Sequence, residues 1–322
     1  MASTAWNLIQ YKETDPLADA YAEMAALLEL PLQQSKDLVS RVLEHYHVKH
    51  SDGPPPHVDA ATFDLVVHVT SSYRIPSMTE RFDWVIERLA GTGPTVLDYG
   101  GGGGKDSIIF ARLGKQVTYA DILNDLTPTI KRRFDLRTLD IPMVDVRTLA
   151  EQRFDVINCM DVIEHCYDVE YVTADLLSRL VPGGHLFVWP EFTNSWNGDH
   201  VEKNCGYVRY YASMLSRIGF SIAGSDSSVF HVVRQRPIAG PIPMERETIR
   251  QELYRLSERM SVRQAMRAAV ELPARVAVKA YRGRLRLPLS WAIAEGLSPI
   301  IDNLSIWRLS KHRLLEREGR LR

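Results

Sequence analysis

Apolar positions recur along this chain with two different periods, and the period changes twice. Residues 1–92 read as helical. Leu17 to Leu30 carries apolar residues at helical spacing and is stopped by Pro31. Ser35 to Tyr46 predicts a second helix before the loop Ser51-Asp52-Gly53-Pro54-Pro55-Pro56, and Phe82 to Leu89 a third, with Gly91 as its stop. From 94 to 235 short β-rich runs alternate with helical stretches. Strands are expected near 95–99, 116–120, 142–145, 155–160, 185–189, 218–224 and 228–234, the last two flanking the hairpin-like break Gly224-Ser225-Asp226. Three prolines between Pro237 and Pro243 end that pattern, and helical spacing resumes from 244 to 322. Alternation of this kind predicts an α/β fold, a doubly wound and mostly parallel seven-stranded sheet. The expected segments are a helical N-terminal cap (1–92), the sheet domain (93–236) and a helical C-terminal extension (237–322).

The most specific local signal lies where the first strand ends. Thr95-Val96-Leu97-Asp98-Tyr99 runs directly into five glycines, Gly100 to Gly104, and a helix pattern opens at Ser107. Strand, glycine turn and helix form the nucleotide-binding corner of doubly wound sheets. Glycines permit the sharp turn and a close ligand approach, and the helix N-terminus offers unpaired N–H groups. A phosphate-binding loop does not fit. Gly104-Lys105 matches its second half, but Tyr99 stands where its first glycine belongs and Asp106 where its metal-holding hydroxyl belongs. A dinucleotide fingerprint is matched only in part. Asp98, at the carboxyl end of the strand, suits a cationic ligand that carries an amino group.

The next strand narrows the choice. Gln116 to Asp121 reads as a buried strand ending in an acid, 21 residues after Gly100, where a carboxylate can accept from both hydroxyls of a ribose. Further on stand Phe154-Asp155-Val156-Ile157-Asn158-Cys159-Met160-Asp161-Val162-Ile163-Glu164-His165 and Leu180-Val181-Pro182-Gly183-Gly184-His185-Leu186-Phe187-Val188. With these four motifs in order, the chain resembles the class I S-adenosylmethionine-dependent methyltransferases, nearest the ubiquinone-biosynthesis-like small-molecule branch. The resemblance covers about residues 74–235. It implies a Rossmann-like methyltransferase fold, S-adenosylmethionine as cofactor, and a small-molecule methyl acceptor.

The resemblance also assigns residues. It implies that Asp98 and the backbone of Gly100, Gly102 and Gly104 hold the methionine end and that Asp121 holds the ribose, with Ile122 beside it. Asp145 would face the adenine amino group and Val146 would pack on the ring. Met160 and Asp161 close the fourth strand beside the sulfonium; Asp161 reads equally as a helix cap. On the acceptor side His200, in the loop after the fifth strand, is the first choice of general base. His165 matches the family's Glu-His step, where packing is the commoner role. O-methylation leads because a histidine base suits a hydroxyl.

Composition and charge set limits on these readings. The net charge is −1, so the chain as a whole is no nucleic-acid sponge. The charge is uneven, however: residues 237–322 hold 17 Lys+Arg against 9 Asp+Glu, a local net of +8 that leaves −9 elsewhere. Three readings of this basic stretch follow, in order: an oligomer or lid surface, a face for an anionic acceptor, and a rest on anionic membrane. RNA contact stands fourth, and a nucleic-acid methyltransferase is the first alternative function. A non-catalytic cofactor-binding scaffold is the second. The three cysteines form no Cys-x-x-Cys pair, which suits a reducing cytoplasm, and no signal-peptide pattern is evident at the N-terminus. His45, His47 and His50 with Asp52 match no closed zinc pattern, so no metal site is expected.

Overall fold

The computed structural model describes residues 15, 17, 19–49, 54–74, 76–192, 200–226 and 229–260. Contacts divide the chain into two compact units, one of residues 1–162, 179–189 and 222–238, the other of 163–178, 190–221 and 239–322.

The first unit holds most of a seven-stranded sheet. Its strands are β1 (Thr95–Tyr99), β2 (Gln116–Asp121), β3 (Met143–Asp145), β4 (Phe154–Met160), β5 (Leu180–Trp189), β6 (Phe220–Asp226) and β7 (Val229–Arg234), in the spatial order β3-β2-β1-β4-β5-β7-β6. Strands β1 to β5 pair in parallel, and β7 runs antiparallel to β5. The order reverses between β1 and β4, and such a switch point opens a crevice at the carboxyl ends of the strands. The β1 glycine turn lies at that crevice.

The fifth strand starts earlier than the sequence suggests. Pro182-Gly183-Gly184 forms a bulge inside β5, where pairing with β4 slips from Phe154↔Leu180 to Val156↔His185. Gly183 takes φ +73°, and a Cβ on Gly184 would lie 2.9 Å from the Val181 carbonyl oxygen, so both glycines are required by the bulge.

Helices α1 (Ala20–Leu28), α2 (Leu32–Lys49) and α3 (Ala60–Arg74) form a small bundle with its own core, including Met24, Val39, Leu43, Phe63 and Val66. Asp19 caps α1 by accepting from the amides of Tyr21 and Ala22. Helix α4 (Pro76–Leu89) leads into β1. With α5 (Lys105–Arg112) and α6 (Thr127–Asp135) it covers the sheet through Val85, Leu89, Ile108, Ile109, Ile130 and Phe134.

A buried ionic network fixes the bundle to α6. Arg133 donates to both carboxylate oxygens of Glu23 at 2.8 Å, and Arg137 donates to Glu23 and Asp15. All four side chains are at most 1% exposed. Pairing of both signs replaces the water that each buried charge gives up.

The second unit is built on α7 (Val169–Ser178) and α8 (Tyr211–Arg217), with a 3₁₀ stretch at Glu202–Arg209 and helical residues 242–260. Phe192 packs on Tyr207 and Tyr211. Buried Glu170 accepts from the hydroxyls of Tyr207 and Ser257. Arg246 pairs with Asp175 and Arg250 with Asp168, both at 2.9 Å. The first part of the basic extension is therefore fastened at α7 through Arg246 and Arg250. The rest of that extension, 261–322, lies outside the described residues, as do His50 and Asp52. No described helix is long and apolar enough to cross a membrane.

Candidate functional site

The five glycines of the β1 turn have different jobs. A Cβ on Gly100 would lie 2.3 Å from Val162, one on Gly101 2.6 Å from the Tyr119 ring, and one on Gly103 2.8 Å from the His68 carbonyl oxygen. A Cβ on Gly104 would lie 2.9 Å from Ile130 and Phe134. These four positions are small because the turn is clasped from behind. Gly102 shares the left-handed backbone of Gly100 and Gly104, with φ +48°, but differs in space: a Cβ there would meet only the Gly100 carbonyl oxygen, at 3.9 Å. Its open side is a place where a ligand can lie against bare backbone.

Asp121 ends β2 beside that position. Its Oδ2 accepts from the Gly102 amide at 2.6 Å, and its Oδ1 from the Ile122 amide at 2.6 Å. Tyr119, two residues earlier on the same face of β2, donates its hydroxyl to the Gly102 carbonyl at 2.8 Å. Burial, with Asp121 and Asp98 nearby, pushes that phenol well above its usual range, so it stays a donor. Ile122 is 57% exposed, an apolar surface next to the acid.

Asp98 lies deeper, 2% exposed. Ser107 donates to its Oδ2 at 2.6 Å and Asn158 to its Oδ1 at 3.0 Å. Burial first, then the charge of Asp106, pushes the Asp98 carboxyl up to about 7. Asp145 ends β3 and caps the short 3₁₀ turn that begins at Val146. Its carboxylate accepts from the Arg147 amide at 2.8 Å and from the Arg147 guanidinium, which holds it well below the usual carboxylate range. Val146 is half-buried, and so is Met160, which joins the core at the end of β4. Asp161 follows in a left-handed conformation, φ +58°, with its amide on the Trp189 carbonyl and its side chain exposed. The residues Asp98, Gly100, Gly102, Gly104, Asp121, Ile122, Asp145, Val146, Met160 and Asp161 thus all sit on one unit, at the carboxyl ends of β1 to β4 or in the turns directly after them.

The two candidate bases lie in the other unit, and they meet. The rings of His165 and His200 are edge to face, centroids 4.9 Å apart. The backbone brings them together: the Glu164 carbonyl accepts from the Val201 amide and the Asn204 side chain, both at 3.0 Å. The Glu164 carboxylate in turn accepts from the Glu191 amide at 2.8 Å. Glu164, His165 and His200 each bring one potential ligand atom to within 4.8 Å of the others.

Sequence reasoning did not single out Ser107, Tyr119, Arg147 or Asn158. The signal for Asn158 and Tyr119 was available in strand register. Asn158 pairs with Asp98 across β4 and β1, and Tyr119 shares a face with Asp121.

Residues 74–218 match a methyltransferase-domain family model. The chain is 38% identical over 114 residues to a ubiquinone biosynthesis O-methyltransferase of Xanthomonas campestris pv. campestris (strain B100), covering 34% of this chain and 47% of that protein. It is 32% identical over 111 residues to one of Coxiella burnetii (strain Dugway 5J108-111), covering 33% and 47%. The chain thus spans about half the length of the curated relatives it matches. Among solved structures, the N-methyltransferase NodS of Bradyrhizobium japonicum WM9, in complex with S-adenosyl-L-homocysteine, aligns at 18% identity and TM-score 0.41, covering 55% of this chain and 97% of that one.

Proposed function

We propose that this chain, whose residues 74–218 are a class I S-adenosylmethionine-dependent methyltransferase domain near the ubiquinone-type branch, moves a methyl group to a hydroxyl oxygen of a small molecule. The observation that carries the reading is the open, left-handed Gly102 tied to Asp121. It leaves room for a ligand against the turn and sets a carboxylate beside it for the ribose hydroxyls. Exposed Ile122 offers an apolar platform for the base.

Bound S-adenosylmethionine supplies a methyl carbon on a positively charged sulfur, which leaves as a neutral thioether. The chain's own residues then have two tasks. The glycine turn and Asp121 hold the donor in a fixed pose, and such positioning can supply much of the rate. His200 would take the acceptor's hydroxyl proton as general base. His165, against its ring, orients it. The O-methyltransferase name of the sequence relatives favours oxygen as the accepting atom.

The test uses methyl-labelled cofactor with a panel of hydroxylated small molecules and, in parallel, structured RNA. Label in hydroxylated compounds, with His200→Ala lowering kcat by roughly 10²–10⁴-fold while leaving cofactor affinity intact, supports the reading. Label in RNA alone overturns it. For the basic segment beyond residue 260 we keep the surface for a second subunit as the first reading, ahead of a membrane surface. Light scattering with and without that segment separates them.

A further inference from the structure

Beneath the glycine turn lies a cluster of hydrogen-bond acceptors. Asn158 Nδ2 donates to Asp98 Oδ1 and also to Asp106 Oδ2, each at 3.0 Å. The amide orientation follows from the partners, because only its NH₂ end can serve two carboxylates. Asn158 is 1% exposed, and its Oδ1 is left buried with no hydrogen-bond donor. An orphaned buried carbonyl is costly, and it marks a place where a partner is missing. The NH₂ end of the same amide lies against two carboxylates. Ser107 already serves Asp98 from the other side. Asp106, in the first turn of α5, is half-buried and accepts from the shared Asn158 amide. Burial raises both carboxyls, while Lys105 pulls Asp106 back toward its charged form.

The groups with acceptor capacity left are the Asn158 carbonyl and two carboxyls, which a nearby cation would hold in their charged form. Their complement is a compact cation with several N–H bonds. An ammonium has three donors and no acceptor. We propose that Asp106 and Asn158, together with Asp98, form the seat for the α-ammonium of the cofactor's amino-acid end. This inference rests on the cofactor reading above and extends it to two residues, Asp106 and Asn158, to which the resemblance assigns no role. Asp106 is the second anion, and Asn158 holds the two carboxylates at one spacing while its own carbonyl accepts a third N–H.

Calorimetry with two probes tests it. S-adenosylhomocysteine carries the ammonium; 5′-methylthioadenosine has the same nucleoside and lacks the amino-acid end. At pH 8 Asp106→Asn should weaken S-adenosylhomocysteine roughly tenfold or more, the loss expected of a charge-assisted hydrogen bond, and leave 5′-methylthioadenosine unchanged. An equal loss for both probes would mean that Asp106 only supports the turn, and no loss for either would mean that it faces no ligand; each overturns the proposal. A second measurement needs no variant. On the unmodified protein, S-adenosylhomocysteine with hydrogen in place of its amino group should bind at least tenfold more weakly. Equal affinity overturns the proposal even if Asp106→Asn fails to fold. Failure of the unmodified protein to bind S-adenosylhomocysteine would instead strike the cofactor reading itself.

Discussion

The Gly102 amide and the Asp121 carboxylate are joined at 2.6 Å across 19 residues of chain, linking the β1 turn to the tip of β2. This contact sets the width of the cradle. Asp121 is held by the turn it serves, and the turn is held open at the one glycine with free space above it.

Gly102→Val should therefore abolish cofactor binding with only a modest effect on folding. The left-handed backbone adds roughly 1–2 kcal/mol of strain, and the side chain enters space a ligand needs. Gly101→Val, whose Cβ collides with the Tyr119 ring, should lower the melting temperature far more. Parallel calorimetry and thermal melts decide it; retained binding in Gly102→Val would move the ligand elsewhere.

Removing the carboxylate at the β2 tip has a different signature. Asp121→Ala deletes the carboxylate proposed to accept from ribose and releases the Gly102 amide, costing about 1.5–3 kcal/mol of binding. Affinity for S-adenosylhomocysteine should fall roughly tenfold to a hundredfold, and 5′-methylthioadenosine should follow it, since both contain the ribose. Unchanged affinity would mean that another group holds the sugar.

The buried ionic network predicts a stability effect away from the crevice. Glu23→Gln leaves Arg133 and Arg137 buried with one anion fewer, and the unfolding free energy should drop by about 3–5 kcal/mol. Urea titration measures this. A change below about 1 kcal/mol would show that the pair is solvated.

Acid should weaken the β5–β7 pairing. His185 Nδ1 and His231 Nε2 share a hydrogen bond at 2.8 Å, and His231 stacks on Phe187. Burial, then His185 and Arg88, holds His231 down to about 4. The folded value lies below the unfolded one near 6.5, so the neutral ring's contribution is complete above about pH 6.5 and is lost as pH falls through about 4. The loss should be on the order of 2–3 kcal/mol. His231→Gln should show a shallower decline over that window; parallel curves for the two proteins would exclude His231 as the source.

How much of this was legible in the chain differs from residue to residue. The β1 glycine turn, the acid ending β2 and the strand–helix alternation are local patterns. Backbone sterics and side-chain period act over a few residues, so sequence alone determined the α/β class, the seven strands and the placing of Asp98, Gly102 and Asp121 at strand ends. Helical spacing also marked α1 and α2 ahead of the sheet, while α3 was not expected. Sequence did not determine that Glu23 would bury its charge on Arg133, 110 residues away, because two opposite charges on separate helices look solvated until packing removes the water between them. Nor could it join His165 to His200, a contact set by the Glu164 carbonyl bonding to Val201 and Asn204. The bridging of Asp98 and Asp106 by Asn158 depends on the parallel register of β1 and β4. Register arises from pairing between distant segments, and a one-residue slip would turn Asn158 to the other face of the sheet.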